Sequence, residues 1–186
     1  GSYVKSRTFA LPFEKRVVEK ARSSLERLTL EEKVVNLLRE KNLVMACAES
    51  CTGGLIAKRI TDVSGSSAVF NCGIVSYSNE IKEKVLNVKN ETLKEFGAVS
   101  EQTVREMVKG VLTLSGADIA VSVSGIAGPN SDNTDKPVGL IYLAVSDCEK
   151  TVVKKLNNQF MTDVRNSNRI SASDEALNLI IKMIGE

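Results

Sequence analysis

The sequence contains no histidine and no tryptophan, and its four cysteines, at positions 47, 51, 72 and 148, form no CxxC pair. The common zinc ligand sets need histidine or paired cysteines, so we expect no metal site, and no other cofactor is implied. The lack of histidine also excludes Ser-His-Asp and Cys-His catalysis. Any nucleophile in this chain must therefore use another base, and lysine is the leading substitute.

A strong charge excess and a long apolar segment are both missing. Lys and Arg total 25 against 23 Asp and Glu, which is not the basic excess of a nucleic-acid-binding protein, and a small polar ligand is the expected partner. No apolar run approaches the roughly 20 residues that span a bilayer, and no signal peptide is visible. We therefore expect a soluble, cytoplasmic protein that binds neither nucleic acid nor membrane.

The length of 186 residues suits one well-buried domain. Residues 1–30 are interpreted as an N-terminal helical appendage, in which Gly1-Ser2 resembles the remnant of an expression tag. Apolar residues recur at helical spacing from about Leu11 to Lys41, and a second helix is predicted to begin at Leu30. The basic residues of this segment form either a solvated face or an interaction surface. Residues 31–186 form the expected domain.

From residue 43 onward, strand and helix patterns alternate. Apolar runs such as residues 119–123 are typical of strands buried on both faces. Strands are predicted near residues 43–48, 70–77, 118–124, 138–146 and 151–156, and helices near residues 53–62, 79–86, 91–96, 101–115 and 170–184. The last two strands are separated by a short polar turn and indicate an antiparallel hairpin. The predicted fold is an α/β, three-layer α/β/α sandwich with a mixed, largely parallel sheet.

The segment AESCTGG, residues 48–54, joins a predicted strand to a predicted helix. Such a turn directs backbone N–H groups at one spot, and those of Cys51, Thr52 and Gly53 are candidate donors to an oxyanion or a phosphate. Ser50 is therefore either a nucleophile or a helix N-cap. Glu49 either orients a neighbouring group or caps backbone N–H groups.

Of the cysteines, Cys51 alone is considered for a function, because it stands next to Ser50. Cys47 and Cys72 lie in apolar strand patterns and are expected to be buried packing residues.

Two further loops carry polar or glycine residues at predicted strand ends. In SYSNEIK, Tyr77 closes a strand and Lys82 falls about one helical turn later; without further context they are a packing tyrosine and a solvated lysine. The glycines of SGIAGP, residues 124–129, allow close approach of backbone to a ligand. Residues 130–136 are either a lid or an ordinary surface loop.

Five segments in this order, AESCTGG, SYSNEIK, GAVSEQTV, SGIAGP and KPVGLIYLAV, resemble the CinA C-terminal domain family over roughly residues 31–185. Characterised members of that family are nicotinamide mononucleotide deamidases, which hydrolyse the carboxamide to the acid and ammonia in pyridine nucleotide salvage. Larger CinA proteins carry a further N-terminal domain, so the chain resembles the stand-alone form. Family members are commonly homodimers, and the resemblance implies the same here.

The resemblance implies a serine, a tyrosine and a lysine as catalytic residues, which here are Ser50, Tyr77 and Lys82. Ser50 would attack the amide, and Lys82, desolvated and with a lowered pKa, would accept the serine proton. Tyr77 would relay that proton or hold the lysine in place. The predicted substrate-binding residues are Glu49, Cys51, Thr52, Gly53, Gly54, Asn79, Gly125, Ala127, Gly128 and Arg169.

One segment departs from the family pattern. Members often carry Gly-Asp-Arg after the last strand and another arginine in the terminal helix, whereas Thr162 replaces the glycine and Val164 the first arginine. Arg165 or Arg169 is the candidate substitute as a phosphate contact. Two functions remain open at this point: a deamidase, and a nucleotide-binding or regulatory module with weak or absent turnover.

Overall fold

The computed structural model describes residues 12–185, apart from the side chain of Leu25. The first eleven residues of the predicted appendage, including Gly1-Ser2, lie outside the described residues, as does Glu186. The helices are α1 (Phe13–Glu26), α2 (Leu30–Glu40), α3 (Leu55–Thr61), α4 (Asn79–Leu86), α5 (Asn90–Phe96), α6 (Glu101–Ser115) and α7 (Val164–Gly185). The strands are β1 (Met45–Glu49), β2 (Phe70–Val75), β3 (Ile119–Gly125), β4 (Leu140–Ser146) and β5 (Thr151–Asn157), and a 3₁₀ turn spans Ser66–Ala68.

All predicted strands are present, and so are the helices predicted from residue 53 onward, with ends shifted by a few residues. The largest shift is at α7, which begins at Val164 rather than near residue 170. Residues 164–169 are mostly polar, so no apolar repeat marks them as helical in the sequence. In the folded chain, three of their side chains donate hydrogen bonds to loop carbonyls.

The strands form one five-stranded sheet in the order β2-β1-β3-β4-β5. β1 is parallel to β2 and β3, whereas β4 is antiparallel to β3 and β5. Helices α2, α3 and α7 cover one face and α4, α5 and α6 the other, with an apolar cluster in each layer. The predicted α/β/α sandwich, its mixed sheet and its β4–β5 hairpin are thus confirmed.

The strand order opens a crevice at the ends of β1 and β3. After β1 the chain crosses to β2 on one side, while β3 pairs with β1 on the other side, and ligands bind where an open α/β sheet switches direction in this way. Glu49 pairs with Val123, and the N–H of Ser50 donates to the carbonyl oxygen of Val123 at 3.1 Å. Ser50 and Ser124 therefore leave the sheet side by side.

A glycine sets the position of α4, the helix that carries Lys82. Gly110 of α6 lies so close to α4 that a Cβ atom added there would be 1.9 Å from the carbonyl oxygen of Leu86. Leu86 is the last residue of α4, so a larger side chain at position 110 would push that end of the helix outward. The close approach holds Lys82 against the sheet.

The N-terminal helices differ in their packing. Val34, Val35 and Leu38 of α2 are fully buried in the core, whereas Phe13 of α1 is 73% exposed. The lysine and arginine side chains of α1 are exposed as well, which fits a solvated face. None of the helices described between residues 12 and 185 is long and apolar enough to cross a membrane.

The cysteines differ in burial. Cys47 is fully buried, as predicted. The prediction is wrong for Cys72, which is only half-buried. The reason is that β2 is an edge strand, so Cys72 packs against an apolar cluster on one side and is not covered on the other.

Candidate active site

A lysine and a serine meet at the end of β1. Lys82 Nζ lies 3.1 Å from Ser50 Oγ, 2.7 Å from the carbonyl oxygen of Ser76 and 3.5 Å from that of Tyr77. Lys82 is only 1% exposed although it lies in the first turn of a surface helix. Ser78, the N-cap of α4, starts that helix by accepting the N–H of Ile81. The helix is thereby oriented so that Lys82 points toward the sheet.

Burial changes the protonation of Lys82. Desolvation lowers the pKa of its ammonium group to about 8, against an opposing attraction from Cys51. Within the described residues no carboxylate forms an ion pair with Lys82, whose hydrogen-bond partners are two backbone carbonyls and the hydroxyl of Ser50. A substantial fraction of this amine is therefore neutral near pH 8, which is what a base for Ser50 requires.

The turn after Ser50 is built by two glycines with positive φ, Gly53 at +59° and Gly54 at +101°. The N–H of Gly53 donates to the carbonyl oxygen of Ser50 at 3.0 Å, so it closes the turn and does not serve a ligand, contrary to expectation. The N–H groups of Cys51 and Thr52 have no acceptor among the described residues. Of these two residues only Cys51 lines the cavity, so its N–H is the candidate oxyanion donor next to the serine.

Glu49 caps backbone N–H groups, which is one of the two roles predicted for it. It is 1% exposed, and its carboxylate accepts the N–H of Ile56 at 2.8 Å and of Ala57 at 3.1 Å. The hydroxyl of Thr52 donates to the same carboxylate at 2.6 Å. Side chains alternate along a strand, so Glu49 faces α3 while Ser50 faces α4.

Cys51 lines the site but is unsuited to act as a nucleophile. Burial raises the pKa of its thiol to about 12, so the reactive thiolate is scarce at neutral pH. Thr52, Gly53 and Gly54, which were predicted to contact the substrate, do not line the cavity. Their role is to shape the turn, because Thr52 is fully buried and bonded to Glu49.

Tyr77 approaches Lys82 with its backbone rather than its phenol. Its hydroxyl accepts a hydrogen bond from Nη2 of Arg165 at 3.2 Å, and the residue is 62% exposed. The part of the chain that the structure describes shows no hydrogen bond from this hydroxyl to Ser50 or Lys82. The predicted proton relay through the phenol is therefore absent from this arrangement, whereas the carbonyl of Tyr77 does help to hold the lysine.

These groups surround a cavity of about 290 Å³. Eight predicted site residues line it, namely Ser50, Cys51, Tyr77, Asn79, Lys82, Gly125, Ala127 and Gly128. Five do not, namely Glu49, Thr52, Gly53, Gly54 and Arg169. Arg165, one of the two candidate phosphate contacts, also lines it, and the lining residues that sequence reasoning gave no role of their own are Ala98, Val99, Ser124, Ile126, Asn130, Ser131 and Asp132.

Strand alternation could have identified Ser124. It follows Ser122 on the same face of β3, is 1% exposed, and its hydroxyl has no hydrogen-bond partner among the described residues. Ala98 and Val99 belong to GAVSEQTV, one of the five segments that resemble the family, so that segment was already a signal.

The two candidate arginines of α7 have different positions. Arg165 lines the cavity and donates to the carbonyl oxygen of Gly128 at 2.8 Å. Arg169 instead donates to the carbonyl oxygen of Thr52 at 3.1 Å and lies outside the cavity. Of the two candidates, the structure thus places Arg165 at the cavity and turns Arg169 toward the β1–α3 turn.

The segment 130–136 is placed over the cavity by its last residue. Lys136 Nζ donates to the carbonyl oxygens of Phe96 and Val99, both at 2.6 Å. Asn130, Ser131 and Asp132 line the cavity at its exposed side. Its role as a lid stays a prediction.

Two observations concern a second catalytic site and a metal site. A larger groove of about 430 Å³ lies between α2 and α7, but the side chains that line it, such as Leu37 and Ile181, include no serine or cysteine beside a base. Among residues 12–185, no three His, Cys, Asp or Glu side chains are grouped as the ligands of a metal ion would be.

Comparison with known proteins assigns the chain to a family. Residues 27–184 match the CinA C-terminal domain. A CinA-like protein from Kosmotoga olearia is 51% identical over 148 residues, which is 78% of this chain and 36% of that protein. One from Chlorobium phaeobacteroides is 47% identical over 154 residues, which is 82% of this chain and 36% of that protein. The chain thus spans about a third of the length of such curated relatives.

Solved structures agree. The competence/damage inducible protein CihA from Agrobacterium tumefaciens superposes with a TM-score of 0.80 at 38% identity, covering 84% of this chain and 94% of that one. The competence damage-inducible protein A from Klebsiella pneumoniae gives 0.81 at 33% identity, covering 84% and 96%. Since sequence and structure agree over most of its length, the chain belongs to the CinA C-terminal domain family.

Proposed function

We propose that this chain hydrolyses the carboxamide of nicotinamide mononucleotide, producing nicotinic acid mononucleotide and ammonia in pyridine nucleotide salvage. The observation that carries the proposal is the 3.1 Å contact between Lys82 Nζ and Ser50 Oγ beside the cavity. Binding a nucleotide does not require a serine paired with a buried amine, whereas amide hydrolysis does require an activated nucleophile. Membership of the CinA family supports the same reaction.

The contacts of Lys82 suit a neutral amine that acts as a base. Two of its N–H bonds point to the carbonyl oxygens of Ser76 and Tyr77. The nitrogen lone pair then remains for the hydroxyl proton of Ser50, at 3.1 Å. As Lys82 takes this proton, Ser50 Oγ attacks the carboxamide carbon and the lysine becomes an ammonium ion.

The tetrahedral intermediate and the leaving group need separate support. The N–H group of Cys51 lies in the cavity lining next to Ser50 and lacks an acceptor among the described residues, so it is suited to stabilise the oxyanion. The ammonium of Lys82 returns its proton to the amide nitrogen, which leaves as ammonia. Water then attacks the acyl-serine while Lys82 accepts its proton, and Lys82 returns that proton to Ser50 Oγ as the acid leaves.

The substrate's phosphate has a candidate partner in Arg165. Its guanidinium lines the cavity and is positioned by Gly128 and Tyr77. Planar guanidinium groups bind phosphate oxygens in a bidentate manner. Binding energy from the phosphate would position the remote carboxamide against Ser50. From the resemblance to the family we also propose that the protein is cytoplasmic, forms a homodimer and uses no cofactor. Light scattering of the purified chain tests the homodimer.

An ammonia-release assay with the mononucleotide tests the function directly. The purified chain should release ammonia and nicotinic acid mononucleotide in equal amounts, and the S50A variant should not. A parent chain that binds the mononucleotide without releasing ammonia would instead identify a binding or regulatory module.

A further inference from the structure

The carbonyls of the β3–β4 loop are held from outside the cavity. Ala127 and Gly128 both line the cavity, and each has its carbonyl oxygen bound by a side chain of α7. Nδ2 of Asn168 donates to the Ala127 oxygen at 2.9 Å. Asn168 is 1% exposed and does not line the cavity, so it contacts the loop from the side opposite the substrate.

The bond from Asn168 determines the direction of a backbone N–H group. In a trans peptide unit the C=O and the N–H point in opposite directions, because the unit is planar. Because the carbonyl of Ala127 points toward the amide of Asn168, the N–H of Gly128 points away from Asn168, which does not line the cavity. This N–H has no acceptor among the described residues.

The Ala127–Gly128 peptide needs such a restraint. A peptide flip changes the φ of the following residue, and glycine accepts both signs of φ. Gly128 has φ of +82° here, so the loop contains the residue type that makes the flipped conformation accessible. A flip would direct the carbonyl oxygen, rather than the N–H, at the substrate.

The other atom of the Asn168 amide is evidence that this side chain is not retained for stability. Its Oδ1 is buried and has no hydrogen-bond partner among the described residues, which is unfavourable for folding. An apolar side chain of similar size would avoid that cost but would leave the carbonyl oxygen of Ala127 without its donor, so the amide serves this one bond. Residues that carry such a cost are found where function requires them.

From these observations we propose that Asn168 is a positioning residue, which holds the Ala127–Gly128 peptide so that the N–H of Gly128 faces the cavity and binds the substrate. This rests on the proposed function for the identity of the substrate, but not for the orientation of the peptide. Arg165 donates to the next carbonyl oxygen, that of Gly128, and so helps to hold the same loop.

The test compares N168L, which is similar in size but has no donor, with N158L as a matched control. Asn158 also donates a hydrogen bond from its side-chain amide, to Oγ of Ser171. It does not line the cavity, and that amide does not contact the β3–β4 loop. Kinetics with nicotinamide mononucleotide and the ¹⁵N–¹H resonance of Gly128 are measured for each. If N168L does not fold, N168D replaces it, because a carboxylate of the same shape accepts rather than donates.

For the Asn168 variant we expect KM to rise about tenfold, with kcat within about twofold of the parent, as loss of one backbone donor to a substrate predicts. The Gly128 resonance should shift or broaden, while N158L changes neither. An unchanged Gly128 resonance, or an unchanged KM, would overturn the proposal. If the parent releases no ammonia, the proposed function fails, and the Gly128 resonance alone decides whether Asn168 orients the peptide.

Discussion

Glu49 and Ser50 are consecutive in the chain, yet their side chains serve opposite faces of the sheet. The carboxylate of Glu49 accepts two backbone N–H groups of α3, while Ser50 Oγ contacts Lys82 of α4. The buried carboxyl group of Glu49 therefore stabilises the turn on one face of the sheet, and the hydroxyl of Ser50 lies on the other face. Because successive side chains of a strand point to opposite faces, the residue that stabilises the turn and the proposed nucleophile can be neighbours in the chain.

The first prediction concerns the nucleophile. S50A should lower kcat by about a thousandfold or more, because the attacking oxygen is lost, while the thermal unfolding curve changes little. Ammonia release and circular dichroism measure the two effects. C51A is the control and should have a mild effect, since the Cys51 thiol is neutral. Activity of S50A within about tenfold of the parent would exclude Ser50 as nucleophile.

The second prediction concerns pH. Since burial lowers the pKa of Lys82 to about 8, kcat/KM should fall as the pH drops through that value, because the ammonium form cannot accept the serine proton. K82R should be nearly as inactive as K82A, since arginine stays protonated at every usable pH. A K82R variant with near-parental kcat would show that Lys82 acts only as a fixed charge. Tyr77 would then be the next base to examine.

The same pKa shift predicts a dependence of stability on pH. The unfolded chain binds more protons at position 82 than the folded chain between about pH 8 and 10.5, so the contribution of Lys82 to the free energy of unfolding rises across that window. It is lost again as the pH falls through about 8. Urea unfolding of the parent and of K82M at pH 7 and pH 10 measures this. Equal pH dependence in both proteins would contradict it.

The third site prediction tests whether Arg165 binds the phosphate of the substrate or its nicotinamide part. Free nicotinamide should have a far lower kcat/KM than the mononucleotide, and R165M should raise KM for the mononucleotide without affecting nicotinamide. R105M is a matched control, because Arg105 is exposed and pairs only with Glu101. If R165M weakens both compounds equally, Arg165 does not bind the phosphate.

A stability prediction concerns the buried cap. E49A leaves the N–H groups of Ile56 and Ala57 and the hydroxyl of Thr52 without their acceptor, so it should lower the free energy of unfolding by about 3 kcal/mol or more. S78A removes a single exposed cap acceptor and should lower it by about 1 kcal/mol. Urea unfolding measures both. An E49A loss no larger than that of S78A would refute the capping role.

The helices and strands were readable from the sequence because their determinants are local, whereas Ser50 and Lys82 were singled out by the family resemblance. Apolar runs and periodicity located the strands and most helices, and the five ordered segments identified Ser50 and Lys82 as partners. The glycines of the loop after β1 likewise predicted a tight turn there, and Gly53 and Gly54 have positive φ. Local backbone preferences and side-chain periods are properties of neighbouring residues, so a sequence contains them in full.

The contacts between distant elements were decided by the tertiary structure alone. No local pattern states that β3 pairs with β1, and this pairing is what brings Ser124 beside Ser50. Nor does one state that Arg165 rather than Arg169 reaches the cavity, because that depends on the rotation of α7 against the sheet. The lowered pKa of Lys82 likewise arises only when α4 packs against α6 and removes its amine from water. The sequence by itself determined which groups are available and in which local conformation, whereas packing determined which of them meet and in which protonation state.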